Sequence, residues 1–416
     1  MFLYKLFLWL YPLLAKIISP FNEKAQWWSD GQKQAWNEIA NAKKDITKPI
    51  IWVHCASYGE FEQGLPIIEG LKNSYPNYQI WLTFFSPSGY LHRKNDPTVD
   101  VVTYLPFDGP KNAARFIALL QPKLIVFIKY EFWYYYLTEA KNKQIPTILA
   151  SAIFREDQIF FKPYGLFFKK ILSLFTCILV QDPSSYKLIN PLLKETEIRI
   201  TGDTRFDRVI NTSKQIVHFD WITRINNFKN IIAGSTWEND HEILAKTVTE
   251  INTHNWIIVP HHVNDASIKA AKKIFPSAIT FTEFENTVTQ YDKPIILIID
   301  RIGMLRNLYQ YAHISYVGGG FGKDGVHNVL EPAVFGRPVI WGKEDKKFRE
   351  AVGLRNAGGG FSVNNEAGLN YVLKYLLNNT IAYNNASHNA AQFILNNAGA
   401  TEKTIRYIQE NRLLTN

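Results

Sequence analysis

From Pro49 onward, short apolar runs rich in β-branched residues alternate with helical stretches, and this alternation restricts the fold more than any other feature. The runs Ile50–Val53, Ile80–Thr83, Val101–Leu105, Leu124–Phe127, Thr147–Ala150 and Cys177–Val180 read as strands. Helices are expected between them at Phe61–Leu71, Lys111–Leu120, Phe132–Lys141 and Ser184–Ile189. A second series opens at Ile231–Ala233 and continues through Ile257–Val259, Ile295–Ile298, Ile314–Val317 and Val339–Trp341. Such spacing predicts a parallel sheet covered by helices on both faces, formed twice. The 416 residues agree, since single domains seldom run far beyond about 200 residues. The expected division is a helical N-terminal segment over 1–45, domains over 46–212 and 230–416, and a hinge over 213–229. Ligands of open α/β sheets bind beyond the carboxyl ends of strands. That rule marks the loops His54–Glu60, Ser86–Gly89, Gly234–Glu238, Pro260–Asp265 and Gly318–His327.

The first nineteen residues, MFLYKLFLWLYPLLAKIIS, are strongly apolar but hold Lys5, Lys16 and Pro12. A shallow membrane-associated helix is the preferred reading, with the lysines reaching anionic headgroups and Trp9 at the interface. A single span and a helix packed on the protein's own surface stay open beside it. The formal charge of +9 implies acidic partners such as anionic lipid or phosphates. Lys and Arg are scattered, so no nucleic-acid partner is expected. Cys55 and Cys177 make no metal spacing and fit a reduced compartment.

Two loops carry chemistry. The stretch from Val317 to Glu331, followed by Pro332, joins a glycine-rich turn to a helix start. Such a turn suits a phosphate, and Glu331 suits ribose hydroxyls. Gly320, Gly322 and Gly325 also satisfy the dinucleotide pattern, with Glu344 and Asp345 downstream, and a plain structural turn is a further reading. In the loop after the first strand, His54 to Gly64, small residues permit a tight turn into a helix that starts near Glu60. A carboxylate there can act as general base toward a hydroxyl nucleophile, or can simply complement the helix dipole.

The motifs Ser57-Tyr58-Gly59-Glu60, Tyr130-Glu131-Phe132-Trp133, Gly202 to Asp207, Gly234-Ser235-Thr236 and Val317 to Pro332 occur in an order that resembles the 3-deoxy-D-manno-octulosonic acid (Kdo) transferases of Gram-negative bacteria. The resemblance covers essentially the whole chain. It implies an α/β fold of the GT-B type, with two Rossmann-like domains facing a central cleft and an apolar N-terminal membrane-associated helix. CMP-Kdo as donor is expected on the C-terminal domain and a lipid A precursor as acceptor on the N-terminal one. The resemblance further implies a place on the cytoplasmic face of the bacterial inner membrane, against anionic lipid.

By the same resemblance Glu60 is the base, Glu131 assists the transition state, and Arg205 stands where the family has lysine. The nucleotide falls to Pro260, His261 and His262, where His261 replaces an expected arginine. Around the base come Ile302, Gly303 and Met304, with Arg301 supplying positive charge, and then Asn328, Val329, Leu330 and Glu331, the last on the ribose. Thr236 is followed by Trp237, another departure from the family pattern. No cofactor and no metal are expected in the transfer step. Glu60 would deprotonate a glucosamine 6-hydroxyl as it attacks, inverting the anomeric centre. Three other readings stay open: a GT-B enzyme using another nucleotide sugar, a non-catalytic anionic-lipid-binding protein on this scaffold, and a dinucleotide oxidoreductase.

Overall fold

The computed structural model describes all residues except Ile216, Val288, Thr289 and Asn416. It divides into one unit of Met1–Arg208 with the stretch from Ala398, and a second of Val209–Asn397. The first contains β1 (Ile50–Cys55), β2 (Gln79–Phe84), β3 (Val101–Tyr104), β4 (Leu124–Ile128), β5 (Thr147–Ala152), β6 (Cys177–Val180) and β7 (Glu197–Ile200). They pair in parallel in the order β3-β2-β1-β4-β5-β6-β7. β1 and β4 are buried along their whole length, as strands covered on both faces must be. One face carries Trp52, Phe116, Phe127 and Tyr136; the other carries Val53, Phe61, Leu82 and Val126.

The second unit repeats the plan with β8 (Asn230–Thr236), β9 (Asn255–Pro260), β10 (Ile279–Thr280), β11 (Ile296–Ile298), β12 (Ala312–Val317), β13 (Val339–Gly342) and β14 (Gly360–Val363). Their order is β10-β11-β9-β8-β12-β13-β14, again parallel. The stretch from Ala398 onward, expected within the second domain, packs with the first. Residues Asp220–Ile225 form a 3-10 turn whose Trp221 ring meets Phe281 and Phe284 of the second unit.

The N-terminal helix Phe2–Ile18 spans 17 residues, has Pro12 inside it, and buries only Tyr4. Tyr4 Oη donates to Asp108 Oδ2 at 2.5 Å. The two oxygens of Asp108 also accept the Tyr135 and Tyr136 amides that open the helix Tyr134–Asn142. The rest of the N-terminal helix is largely exposed, with Phe2 at 77%, Trp9 at 66% and, just beyond the helix, Phe21 at 90%. Among the described residues no helix is long and apolar enough to cross a membrane.

Candidate functional site

In each sheet the winding direction reverses once, between β1 and β4 and between β8 and β12. At such a point the loops leaving the carboxyl ends diverge, and a crevice opens between them. The first unit places Glu60 after β1 and Glu131 after β4. Glu60 lies in the first turn of the helix Tyr58–Ser74, where its Oε2 accepts the Ser57 amide at 3.0 Å. The capping reading is therefore realised, but capping is not all that happens there. Burial, and then the charge of Glu131, push the Glu60 carboxyl up to about 7, against the opposing pull of Lys129. A carboxylate poised near neutrality suits proton abstraction from a hydroxyl. Lys129 holds a left-handed φ of 70°, which turns the chain sharply between β4 and Glu131.

Glu131 is buried and accepts two side-chain donors on Oε2, Trp133 Nε1 at 2.5 Å and His54 Nε2 at 2.8 Å. Arg205 opens the helix Thr204–Ser213 and forms a fork onto Asp203, with Nε 2.9 Å and Nη2 2.7 Å from Oδ2. Its charge is thus shared with a carboxylate that the sequence reading did not take into account.

The second switch point gathers the loops after β8, β9 and β12. Asp240 organises them from the first turn of the helix Glu238–Glu250. Buried, it accepts the Trp237 amide at 2.9 Å, the Gly319 amide at 2.9 Å and the Tyr316 hydroxyl at 2.6 Å. Trp237 stacks on His261 with 4.6 Å between ring centroids, and His261 stacks on His327 at 4.5 Å. Trp237 Nε1 donates to His327 Nε2 at 2.7 Å, so that nitrogen is an acceptor. Burial lowers the His261 pKa, and the neighbouring His327 and His262 lower it further. A cavity of about 520 Å³ lies here, lined by Trp237, His261, His262, Gly319, Lys323 and Asp324 among others. His261 and His262 also line a cavity of about 400 Å³ with Ser235, Arg301, Ile302 and Gly303.

The remaining expected positions divide by exposure. Ile302 is exposed and Gly303 has φ 89°, so this turn offers both a side chain and backbone to a ligand. Met304, Val329 and Leu330 are buried, so their side chains belong to the core. Asn328 Nδ2 donates to Glu331 Oε1 at 3.1 Å and fixes that carboxylate. The helix at Glu331 is a single turn, Leu330–Ala333, too short to supply much dipole. Arg301, expected to supply positive charge, instead pairs with Glu285 at 2.6 Å.

The dinucleotide reading fails on geometry. The glycine turn follows β12, whereas the sheet's first strand is β8. A Cβ on Gly318 would lie 2.3 Å from Ser235 O, and one on Gly320 2.6 Å from Gly342 N, so these glycines let backbones pass each other. Asp345 is buried and accepts from Trp341 and Arg355, leaving it no ribose to bind. His54, Asp203 and Asp240 were not singled out in the sequence. Asp203, directly before the helix Thr204–Ser213, and Asp240, in the first turn of the helix Glu238–Glu250, had a local signal as acidic residues at helix starts, whereas His54 had none.

Paired parallel-sheet units, each with polar loops gathered at its switch point, define the GT-B class of glycosyltransferase fold. The fold is shared with the UDP-N-acetylglucosamine 2-epimerase of Neisseria meningitidis bound to UDP-GlcNAc. That structure gives a TM-score of 0.62 at 15% identity, over 87% of this chain and 100% of the other. It is shared also with a glycosyltransferase from Rickettsia africae, TM-score 0.54 at 12% identity, over 89% and 100%. Sequence goes further. Residues 30–208 match the family described as 3-deoxy-D-manno-octulosonic-acid transferase (kdotransferase). The 3-deoxy-D-manno-octulosonic acid transferase of Aquifex aeolicus is 31% identical over 341 residues, covering 79% of this chain and 86% of the relative. The chain belongs to the Kdo transferase family and is a glycosyltransferase.

Proposed function

We propose that the chain transfers Kdo from CMP-Kdo to a hydroxyl of a lipid A precursor in lipopolysaccharide synthesis, with Glu60 as general base. The observation that carries this reading is the place of Glu60 in the helix turn after β1, at the β1/β4 switch point of a chain in this transferase family, where burial and Glu131 push its carboxyl up to about 7. Glu60 takes the acceptor proton as the oxygen attacks the anomeric carbon and CMP departs, inverting that centre. CMP is held by the second unit: His262 and Lys323 in the 520 Å³ cavity face its phosphate, and Glu331, fixed by Asn328, takes the ribose. The exposed apolar residues of the helix Phe2–Ile18, with Lys5 and Lys16 beside them, rest on the anionic cytoplasmic face of the inner membrane.

The test is transfer from CMP-Kdo, generated in place, to a tetraacyl lipid A precursor, followed by product mass. Wild type is expected to add Kdo, and Glu60→Gln to lose about 10²–10⁴-fold in rate, the usual contribution of a general base. Transfer at the wild-type rate by Glu60→Gln removes Glu60 from the role. No transfer from CMP-Kdo, beside transfer from a UDP-sugar, overturns the donor.

A further inference from the structure

A buried polar assembly in the first unit leads from β1 to Glu131. β1 is apolar except at His54, which is fully buried. The parallel register sets Thr83 of β2 beside His54 on one side and Phe127 of β4 on the other. Trp52, two residues earlier and so on the same face, donates Nε1–H to Thr83 Oγ1 at 2.8 Å. The same oxygen lies 2.8 Å from His54 Nδ1, and His54 Nε2 lies 2.8 Å from Glu131 Oε2.

Donor and acceptor roles follow by elimination. An indole nitrogen only donates, so Thr83 Oγ1 accepts from Trp52. The hydroxyl's own proton then goes to His54 Nδ1, since its alternative is a buried unpaired hydroxyl. His54 Nδ1 is therefore an acceptor, and Nε2 carries the ring proton toward Glu131. Trp133 Nε1 is 3.2 Å from His54 Nε2 but 2.5 Å from Glu131 Oε2, and its single proton takes the nearer, charged oxygen. Both donors meet Oε2; among the described residues none donates to Oε1.

We propose that His54, held as the neutral Nε2–H tautomer by Thr83 and Trp52, is a positioning residue that clamps one oxygen of Glu131 and presents the other to a hydroxyl of the acceptor sugar. This rests on the reading of Glu131 as a participant in Kdo transfer. The order Trp52, Thr83, His54, Glu131 then fixes which carboxylate oxygen faces the substrate.

The experiment uses full-length protein labelled with ¹⁵N-histidine, with His54→Gln assigning the His54 signals. Long-range ¹H–¹⁵N spectra are expected to show His54 protonated at Nε2 in the wild type, with its Nδ1 resonance that of a hydrogen-bonded acceptor, and that resonance shifted in Thr83→Val, where the donor to Nδ1 is gone. In transfer assays, Thr83→Val lowers kcat by about 10-fold and His54→Leu by about 10²-fold, the range for a misplaced catalytic group, with KM little changed. His54→Gln, whose amide can still donate to Glu131, recovers most of the kcat lost in His54→Leu. An Nδ1–H ring or a doubly protonated one in the wild type overturns the clamp, as does wild-type kcat in folded His54→Leu. If His54→Leu does not fold, Thr83→Val decides by the same criteria. If wild-type protein transfers no Kdo, the functional reading falls, and the clamp is judged on the tautomer alone.

Discussion

Glu60 and Glu131 illustrate what position along a chain can and cannot reveal. Both follow apolar strands in tight turns, so their place at the carboxyl edge of a sheet was readable before any coordinates. Their coupling was not, because it depends on β1 and β4 being neighbours across the point where the winding reverses. It has a signed consequence. Removing the like charge in Glu131→Gln lowers the Glu60 pKa, and removing the opposing cation in Lys129→Ala raises it. The pH–rate profile of the wild type should rise with a midpoint near 7. That rise is expected to move to lower pH in Glu131→Gln, at a reduced plateau, and to higher pH in Lys129→Ala. Unmoved rises in both variants would show that another group controls the rate.

The same shift bears on stability. A Glu whose folded pKa lies above its usual value stabilises the fold fully below about 4.5, and that contribution is lost as pH rises through about 7. Glu60→Gln should therefore be more stable than wild type at pH 8, unfolding at a higher temperature, and should unfold at nearly the same temperature as wild type near pH 4. Thermal unfolding at the two pH values measures it; equal differences at both would mean that Glu60 is not strained by its charge. His54 gave no such forewarning. A lone polar residue in an apolar strand has no periodic signal, and its partners come from β2 and from the loop after β4.

At the scale of elements, the strands rich in β-branched residues were legible almost to their ends, and the missed ones share a physical reason. β7 reads Glu-Ile-Arg-Ile on a sheet edge, β10 has two residues, and β14 opens on Gly360. Their pairing comes from neighbours more than from intrinsic preference. The N-terminal helix was legible as apolar, but not the way it is held. Tyr4 is its only buried residue, and its bond to Asp108 joins it to the loop that opens the helix Tyr134–Asn142, while the Phe7 and Tyr11 rings pack on Phe107. Tyr4→Phe is expected to cost about 1.5–3 kcal/mol, the range for a hydrogen bond to a charged group. Amide exchange should then quicken across residues 2–18, while exposed changes such as Trp9→Glu leave exchange alone but weaken binding to anionic vesicles. Unchanged exchange in Tyr4→Phe would show the helix to be held by its ring contacts instead.

On the scale of the whole molecule, the chain forms the second unit and then returns to complete the first. Amphipathic spacing in the helix Ala400–Glu410 announces a buried face but not the surface that buries it, which is why the sequence reading assigned this stretch to the second domain. The structure supplies the recipient. Asp207 accepts the Gly399 amide on Oδ1 and the Thr401 amide on Oδ2, both at 2.6 Å, capping the returning helix from a distant part of the chain. Gly399 reaches that cap with φ 97°, a conformation that favours glycine. Ile405 and Ile408 enter the core built on Val53, Phe61 and Leu65, and Ile405 faces Gly70 of the helix that begins beside Glu60. Each buried side chain of this kind is worth about 1.5–3 kcal/mol. A chain ending at Asn397 should therefore lose the first unit's cooperative unfolding, and with it transfer activity, because the helix bearing Glu60 loses its support. Asp207→Ala removes only the cap, costing about 1–2 kcal/mol, which at this domain size lowers Tm by about 2–8 °C. Calorimetry of the two variants separates the effects. A truncated chain that melts like the full-length protein would mean that the returning helix decorates the first unit without completing it.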